Sequence, residues 1–255
     1  MLQFENVCIQ YGKTVVLSDL YAHIEKEKLT VLIGKNGSGK SSLLGCLIGQ
    51  TNHTGRILLQ NKPLDAIKPR ERAKMLSFLP QTMPESALTV RQLTALGRTP
   101  YSGLGGRLQD GDRKIIEHSI ARCDLLHLAD KPLNKLSGGE RKRAFLAMLL
   151  AQDTPFLVLD EPTAHLDTLQ TAHFYATLQT LVHEEKKTVL FAAHDLNSAF
   201  SAADNVLCLH HKQAVFSGSK QKFIESDLPK TVFGLHAQTV TDTDGKTRTF
   251  FYSPI

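Results

Sequence analysis

No stretch of this sequence is apolar for long enough to cross a membrane as a helix. A span needs roughly 18 or more consecutive apolar residues, and the longest runs here, Phe156–Leu159 and Thr188–Ala193, have the length of buried strands. The first residues, MLQFENVCIQYGK, carry acidic and polar groups where a secretion signal has its apolar block. These absences predict a protein that stays in the cytosol.

Cysteine is scarce and scattered. Cys8, Cys46, Cys123 and Cys208 lie far apart along the chain, and none belongs to a CxxC pair. This spacing argues against a disulfide framework and against a zinc site. We therefore expect buried free thiols.

The sequence also lacks a basic run interleaved with aromatic residues. The net charge of +5 suits nucleic acid, anionic lipid or a nucleotide, and charge by itself does not choose among them. The basic cluster Arg141-Lys-Arg143 is interpreted as a solvated helix face and not as a nucleic-acid patch. We therefore predict no nucleic-acid partner.

Short apolar strands alternate with helical patterns through much of the chain, which favours an α/β fold with a mostly parallel sheet. The middle of the chain is mostly helical, which predicts a subdomain inserted into that fold. Strands are predicted at 2–10, 29–33, 55–59, 76–79, 156–159 and 188–193, and helices at 41–48, 70–75, 89–96, 112–123, 139–151 and 169–185.

A glycine-rich loop follows the strand at 29–33 and matches GxxxxGK[ST] without a mismatch, which predicts a phosphate-binding loop between a strand and a helix. Glycines let successive backbone N–H groups turn toward phosphate oxygens, and the next helix offers its N-terminus to the same anion. Lys40 is predicted to reach the β- and γ-phosphates and Ser41 to bind magnesium. The loop consists of Gly34, Lys35, Asn36, Gly37, Ser38, Gly39, Lys40 and Ser41.

Two carboxylates end the apolar strand at 156–159. A parallel strand delivers such residues to the carboxyl edge of the sheet, where we also expect the phosphate loop. Asp160 is therefore the predicted magnesium partner, and Glu161 the predicted general base that activates water for ATP hydrolysis.

With these motifs in place, Leu136-Ser137-Gly138-Gly139-Glu140 resembles the signature motif of ABC (ATP-binding cassette) ATPases. The other family elements occur in the expected order over essentially the whole chain. The resemblance implies a P-loop NTPase (RecA-like) fold with N-terminal antiparallel strands. It also implies a core lobe at 1–85 and 152–255 and a helical signature lobe at 86–151.

The resemblance assigns further roles. Tyr11 matches the aromatic residue that stacks on adenine, and Gln81 matches the coupling glutamine that also contacts magnesium. Asp167, in Ala164-His-Leu-Asp167, belongs to the loop that contacts the opposite subunit, and His194 matches the switch histidine near the γ-phosphate. Residues Ser137–Glu140 would bind the nucleotide held by a second copy. Apart from the resemblance, the start of the helix at Ser137-Gly-Gly139 is a predicted anion site, because its backbone N–H groups and the helix dipole favour negative charge.

Four features depart from the family pattern. Lys35 stands where proline is usual and Ser42 where threonine is common, although neither change removes a phosphate contact. His165 is unusual in the subunit-contact loop. His210-His-Lys-Gln213 replaces a typical glycine hairpin, and the two histidines are predicted to face opposite ways on a strand, which argues against a metal pair.

One cassette without a membrane segment resembles the separate subunits of bacterial importers. The segment Leu88–Tyr101, with its GR-P element, and the tail residues Thr231-Val-Phe-Gly234 and Asp244-Gly245 resemble importers of ferric siderophores, haem and cobalamin. The resemblance favours an ATP-hydrolysing subunit that powers uptake of an iron chelate, such as a ferric siderophore, with haem or cobalamin as the next candidates. The resemblance implies a homodimer, two permease subunits, an external binding protein and a peripheral position on the cytoplasmic face of the inner membrane, with ATP and Mg²⁺ as ligands.

The alternatives are a soluble ABC ATPase, for instance in iron–sulfur assembly, and a non-hydrolysing regulatory subunit. Retention of Lys40, Asp160, Glu161 and His194 argues against the last.

Overall fold

The computed structural model describes residues 1–102, 107–164, 166–241, 245 and 247–253, so that His165 and Asp244 lie outside the described residues. The chain divides into two compact units, one formed by Met1–Ala66 with Ala172–Ile255 and the other by Ile67–Thr171. The lobes expected from the sequence, 1–85 with 152–255 and 86–151, remain a prediction.

Strands and helices alternate along the chain. The strands are β1 (Leu2–Tyr11), β2 (Thr14–Ile24), β3 (Leu29–Gly34), β4 (Thr54–Leu59), β5 (Lys62–Pro63), β6 (Leu76–Leu79), β7 (Phe156–Asp160), β8 (Thr188–Ala192), β9 (Asn205–His210), β10 (Gln213–Ser219), β11 (His236–Thr241) and β12 (Thr247–Tyr252). The helices are α1 (Lys40–Ile48), α2 (Pro69–Met75), α3 (Val90–Leu96), α4 (Asp112–Arg122), α5 (Gly138–Gln152), α6 (Thr168–His183), α7 (Leu196–Ala202), α8 (Lys220–Glu225) and α9 (Leu228–Phe233). Every strand and helix predicted above is present.

The first unit holds both antiparallel and parallel strands. β1 pairs antiparallel with β2 and β4, while β3 runs parallel to both β8 and β9. Because β3 has a neighbour on each side, residues Leu29–Ile33 are all fully or nearly fully buried, as expected for a central parallel strand. The predicted α/β class with antiparallel N-terminal strands is confirmed.

The second unit combines a parallel strand pair with helices. β6 and β7 pair in parallel from Leu76 opposite Phe156 to Leu79 opposite Leu159. The helices α3, α4 and α5 account for the helical middle of the chain. Two of them begin with a capping box, in which the N-cap side chain and the side chain three residues later each accept the other's backbone N–H: Thr89 with Gln92 and Ser137 with Glu140.

The turn between β9 and β10 corrects one prediction. His211 and Lys212 adopt left-handed backbone conformations, with φ of 47° and 66°, so they form a tight hairpin turn without glycine. His211 is therefore not on the strand, and its ring centroid lies 3.8 Å from that of His210. The expectation that the two histidines face opposite ways is wrong.

The cysteine prediction is confirmed for three residues. Cys46, Cys123 and Cys208 are buried free thiols, and burial raises the pKa of each to about 12. Cys8 is also free but half-buried.

Of the helices among the described residues, none is both long enough and apolar enough to span a bilayer.

Candidate active site

The phosphate loop is built around positions that only glycine fills easily. Gly37 and Gly39 have φ of 75° and 97°, a left-handed conformation that a Cβ disfavours. A Cβ on Gly34 would lie 2.4 Å from the Oγ of Ser38 and 2.7 Å from the carbonyl oxygen of Leu209. The loop therefore has a compact, preformed shape between β3 and α1.

Lys40 places a positive charge inside this loop. Its side chain is only 7% exposed, and its Nζ donates to the carbonyl oxygen of Gly34 at 2.9 Å and lies 3.5 Å from that of Lys35. The Oγ of Ser38 is buried and has no hydrogen-bond partner among the described residues. A buried cation next to an unsatisfied hydroxyl fits an anionic ligand with several acceptor oxygens.

The rest of the loop is open to a ligand. Lys35, Asn36, Gly37 and Ser41 are exposed, whereas Ser42 is half-buried. Tyr11 lies beside the first turn of α1, with its Oη 3.3 Å from the Oγ of Ser42 and its side chain 52% exposed. A half-exposed ring at this place is available for stacking on a base.

His194 is brought to the same edge by the strand register. β3 and β8 are parallel, with Leu32 opposite Ala192, so the chain leaves both strands at one end. His194 is exposed and lines an open cleft of about 750 Å³ together with Gly34, Lys35 and Asn36. The structure therefore unites the phosphate loop and the predicted switch histidine.

In the second unit, Glu161 and Gln81 are hydrogen bonded. The Nε2 of Gln81 donates to the Oε2 of Glu161 at 2.7 Å. Glu161 has φ of 45°, an uncommon conformation for a residue with a Cβ, which marks the point where the chain turns away from β7. Asp160, one residue earlier, is buried at the end of that strand.

The signature residues form the exposed start of α5. Ser137 and Gly138 are exposed, whereas Gly139 is buried. The amide of Ser137 donates to Glu140 at 2.7 Å, and this bond lowers the pKa of the Glu140 carboxyl below its ordinary value. The Oγ of Ser137 accepts from the amide of Glu140 at 3.3 Å, so its hydroxyl hydrogen remains available to donate to an anion.

Asp167 caps the start of α6 with its side chain. Its Oδ1 accepts from the backbone N–H of Gln170 at 2.8 Å. The Gln170 side chain covers Gly139, because a Cβ on that glycine would lie 2.6 Å from the Oε1 of Gln170. The subunit-contact loop and the signature helix therefore touch within one chain.

Lys142 was missed as a site residue, and the solvated-face interpretation of Arg141-Lys-Arg143 is wrong. Lys142 is only 6% exposed, and Arg141 and Arg143 are half-buried. Burial lowers the pKa of the Lys142 ammonium to about 8, although the charge of Glu161 opposes that shift. Lys142 follows Gly139 by three positions, so helical spacing would have placed it on the same buried face.

The GR-P element has a structural role in the second unit. Arg98 donates at 2.8 Å both to Asp112 and to the carbonyl oxygen of Ala151, and its guanidinium lies 4.1 Å from the centre of the Tyr101 ring. The Oη of Tyr101 donates to the carbonyl oxygen of Gln152 at 3.0 Å. Arg98 and Tyr101 therefore hold their segment against the C-terminal end of α5.

The donor atoms suit magnesium bound together with phosphates. Among the described residues, no group of three or more His, Cys, Asp or Glu side chains could hold a metal by themselves. Mg²⁺ is usually bound through one or two carboxylates, with phosphates and water completing its shell. Ser41 in the first unit and Gln81 and Asp160 in the second each carry an oxygen atom of a kind that Mg²⁺ binds.

Known proteins resemble this chain over most of its length. The family model described as ABC transporter matches residues 17–164. The iron(3+)-hydroxamate import ATP-binding protein of Bacillus subtilis is 37% identical over 94% of this chain and 90% of its own length. The hemin import ATP-binding protein of Pseudomonas entomophila is 36% identical over 92% of this chain and 93% of its own length.

The fold has close counterparts among solved structures. A chain of a metal-chelate type ABC transporter in an inward-facing conformation matches with a TM-score of 0.85 at 24% identity, covering 100% of this chain and 97% of that one. The phosphate loop and the parallel strands define a P-loop ATPase. The chain belongs to the ABC transporter family, as one of its ATP-binding subunits.

Proposed function

We propose that this chain hydrolyses ATP to drive import of an iron chelate, such as a ferric siderophore, through separate permease subunits. The hydrogen bond between Gln81 and Glu161 carries this proposal, because it joins the candidate coupling residue to the candidate base. The names of the relatives, which refer to iron(3+)-hydroxamate and hemin import, support the cargo class.

In the proposed reaction each residue has a defined role. Lys40 binds the β- and γ-phosphates, and Glu161 takes a proton from the attacking water. Gln81 holds the carboxylate of Glu161, and His194 contacts the γ-phosphate. When held by Ser41, Gln81 and Asp160, Mg²⁺ would neutralise charge on the phosphates. The neutralised phosphates and the oriented water together lower the barrier to hydrolysis.

The working form is proposed to be a homodimer of cassettes. Support comes from the exposed N-terminus of α5, where Ser137 and Gly138 offer a hydroxyl and backbone N–H groups to an anion. In the dimer these groups, with Gly139 and Glu140, would bind the γ-phosphate of the other copy, while Tyr11 stacks on adenine in its own. Asp167 would lie in the contact between copies.

The dimer is proposed to act on two permease subunits at the cytoplasmic face of the inner membrane, with an external binding protein on the far side. ATP drives closure of the dimer because it binds the closed state more tightly than the open one. Hydrolysis through Glu161 reopens it.

The test is ATPase activity of the chain reconstituted with its permease and binding protein. Ferric hydroxamate, ferric catecholate, haem and cobalamin are added separately, and Glu161→Gln serves as the inactive control. Stimulation by a ferric chelate supports the proposal. Activity that needs no permease and responds to no chelate would instead indicate a soluble, non-transport ATPase.

Haem is the second candidate cargo. The relative named for hemin import is 36% identical, nearly as similar as the hydroxamate relative. Stimulation by haem, with no response to ferric siderophores, would decide for this alternative.

A further inference from the structure

The ammonium of Lys142 spans two carbonyl groups of the segment that follows β7. Its Nζ contacts the carbonyl oxygen of Ala164 and lies 3.5 Å from that of Glu161. All three residues belong to the second unit, and Lys142 comes from the second turn of α5. One buried side chain thus connects the signature helix to the backbone of the proposed base.

Glu161 depends on its neighbours for its conformation. Its φ of 45° is unfavourable for a residue with a Cβ and persists where the surroundings hold it. Its carbonyl oxygen accepts from the amide of Ala164 at 3.1 Å and faces the Lys142 ammonium, while its carboxylate accepts from Gln81. The backbone and the side chain of Glu161 are therefore held separately.

A second contact joins the same two segments. Gln170 packs its side chain on Gly139, three positions before Lys142 in α5. α5 therefore contacts the segment 161–170 at two points, one of which is the backbone of Glu161.

We propose that Lys142 is a positioning residue, which holds the backbone of Glu161 so that its carboxylate is correctly placed for hydrolysis. This inference rests on the proposed role of Glu161 as the base. Lys142 acts through the hydrogen-bond donors that it directs at the backbone carbonyl oxygens of Glu161 and Ala164. Lys142 also connects Glu161, the proposed base of one ATP site, to α5, whose N-terminus is proposed to bind the ATP of the other copy.

Two substitutions of nearly equal size separate this role from simple packing. Lys142→Met removes the donor, whereas Lys142→Gln keeps a neutral N–H donor, one bond shorter than the ammonium, on a side chain of the same length as Met. Both variants are expected to fold, since replacing a buried charge by a side chain of similar volume is often neutral or stabilising. Lys220→Met is the matched control, because Lys220 is half-buried, donates to the carbonyl oxygen of Phe200 at 3.0 Å and lies in the other unit.

The first measurement is steady-state ATP hydrolysis by each variant, with melting temperature as a check on folding. Lys142→Met should lower kcat by about tenfold or more while KM for ATP stays within about threefold, because a misplaced base slows chemistry without weakening binding. Lys142→Gln should recover most of the lost kcat, and Lys220→Met should retain the wild-type value. Equal kcat for the Met and Gln variants would overturn the proposal.

The second measurement is hydrogen–deuterium exchange of the peptide that covers residues 161–167, without nucleotide. Exchange should be faster in Lys142→Met than in Lys142→Gln and unchanged in Lys220→Met. Identical exchange in all variants would refute the positioning role even if the chain hydrolyses ATP. A wild-type chain that hydrolyses no ATP would refute the proposed function, whereas the exchange result would still decide whether Lys142 holds this segment.

Discussion

Gln81 and Glu161 meet because each lies two residues beyond one member of the same residue pair in two parallel strands. Leu79 pairs with Leu159, and each side chain comes two positions later, so the amide of Gln81 donates to the carboxylate of Glu161 at 2.7 Å. The register of the two strands therefore places Gln81, the candidate coupling residue, beside Glu161, the candidate base.

Gln81→Ala tests the coupling role. The substitution should leave ATP affinity within about threefold of the wild-type value, because Gln81 does not bind the phosphates through a charge, and should lower kcat, because its amide holds the carboxylate of Glu161. Transport per ATP hydrolysed should fall at least fivefold (roughly 1 kcal/mol of coupling) in reconstituted vesicles. Gln213→Ala, at an exposed position on β10, is the control. An unchanged transport ratio would contradict the coupling role.

Glu161→Gln tests the base. The variant should bind ATP normally and lose about 100-fold or more in kcat, since an amide cannot accept the proton. ATP should then hold the chain as a dimer, measured by light scattering with and without nucleotide. Glu184→Gln removes an exposed carboxylate and should leave both properties unchanged. Substantial steady-state hydrolysis by the Glu161 variant would show that another group is the base.

Lys40→Ala tests the phosphate loop. Loss of the buried ammonium should raise the Kd for ATP by about tenfold or more, because charge-assisted bonds to phosphate are the strong ones. Equilibrium titration with a fluorescent ATP analogue measures this change. Lys26→Ala, an exposed lysine in the same unit, should bind as the wild type does. Equal affinities of the two variants would exclude the predicted role of Lys40.

The two signature glycines should differ in their tolerance of a methyl group. A Cβ on Gly139 would lie 2.6 Å from Gln170, whereas a Cβ on Gly138 would meet nothing within 4 Å. Gly139→Ala should therefore displace the flexible end of the Gln170 side chain, whereas Gly138→Ala should displace nothing, so Gln170→Ala should change the melting temperature of the Gly139 variant differently from that of the Gly138 variant. Strictly additive effects of Gln170→Ala in both double variants would contradict the described packing.

The buried pair of Arg98 and Asp112 should make stability depend on acid pH. Burial by itself would raise the pKa of Asp112, but bonds from the Gln109 amide and the Arg98 guanidinium outweigh it and lower the pKa below its ordinary value. The stabilisation is therefore complete above the unfolded pKa and is lost as pH falls toward the lower folded pKa.

Asp112→Asn removes this charge and leaves Arg98 buried without its counter-ion. Urea unfolding at neutral pH should show a loss of about 3 kcal/mol, and the loss should shrink below the folded pKa of the wild-type carboxyl. Asp110→Asn, at an exposed position nearby, is the control. A constant difference across the acid range would exclude Asp112 as the titrating group.

Local sequence determined the strands, the helices and the phosphate loop. Gly34, Gly37 and Gly39 stand where backbone conformation or close approach requires glycine. These positions lie within a few residues of one another, so the pattern of the loop can be recognised from the sequence. The pattern Ser137-x-x-Glu140 also predicts a capping box, a signal that could have assigned Glu140 its structural role from sequence alone.

Tertiary structure decided what depends on residues distant in the chain. Lys142 belongs to a strongly basic triplet, yet it is buried because the segment after β7, some twenty positions later, packs over it. His211 leaves the strand because the hairpin closes in a turn of two left-handed residues. The sequence by itself determined which side chains could do the chemistry, since motif and spacing are local properties. The strand register and the packing of α5 decided which of these side chains meet. Burial and strand pairing depend on residues distant in the chain, and a local sequence pattern does not identify those residues.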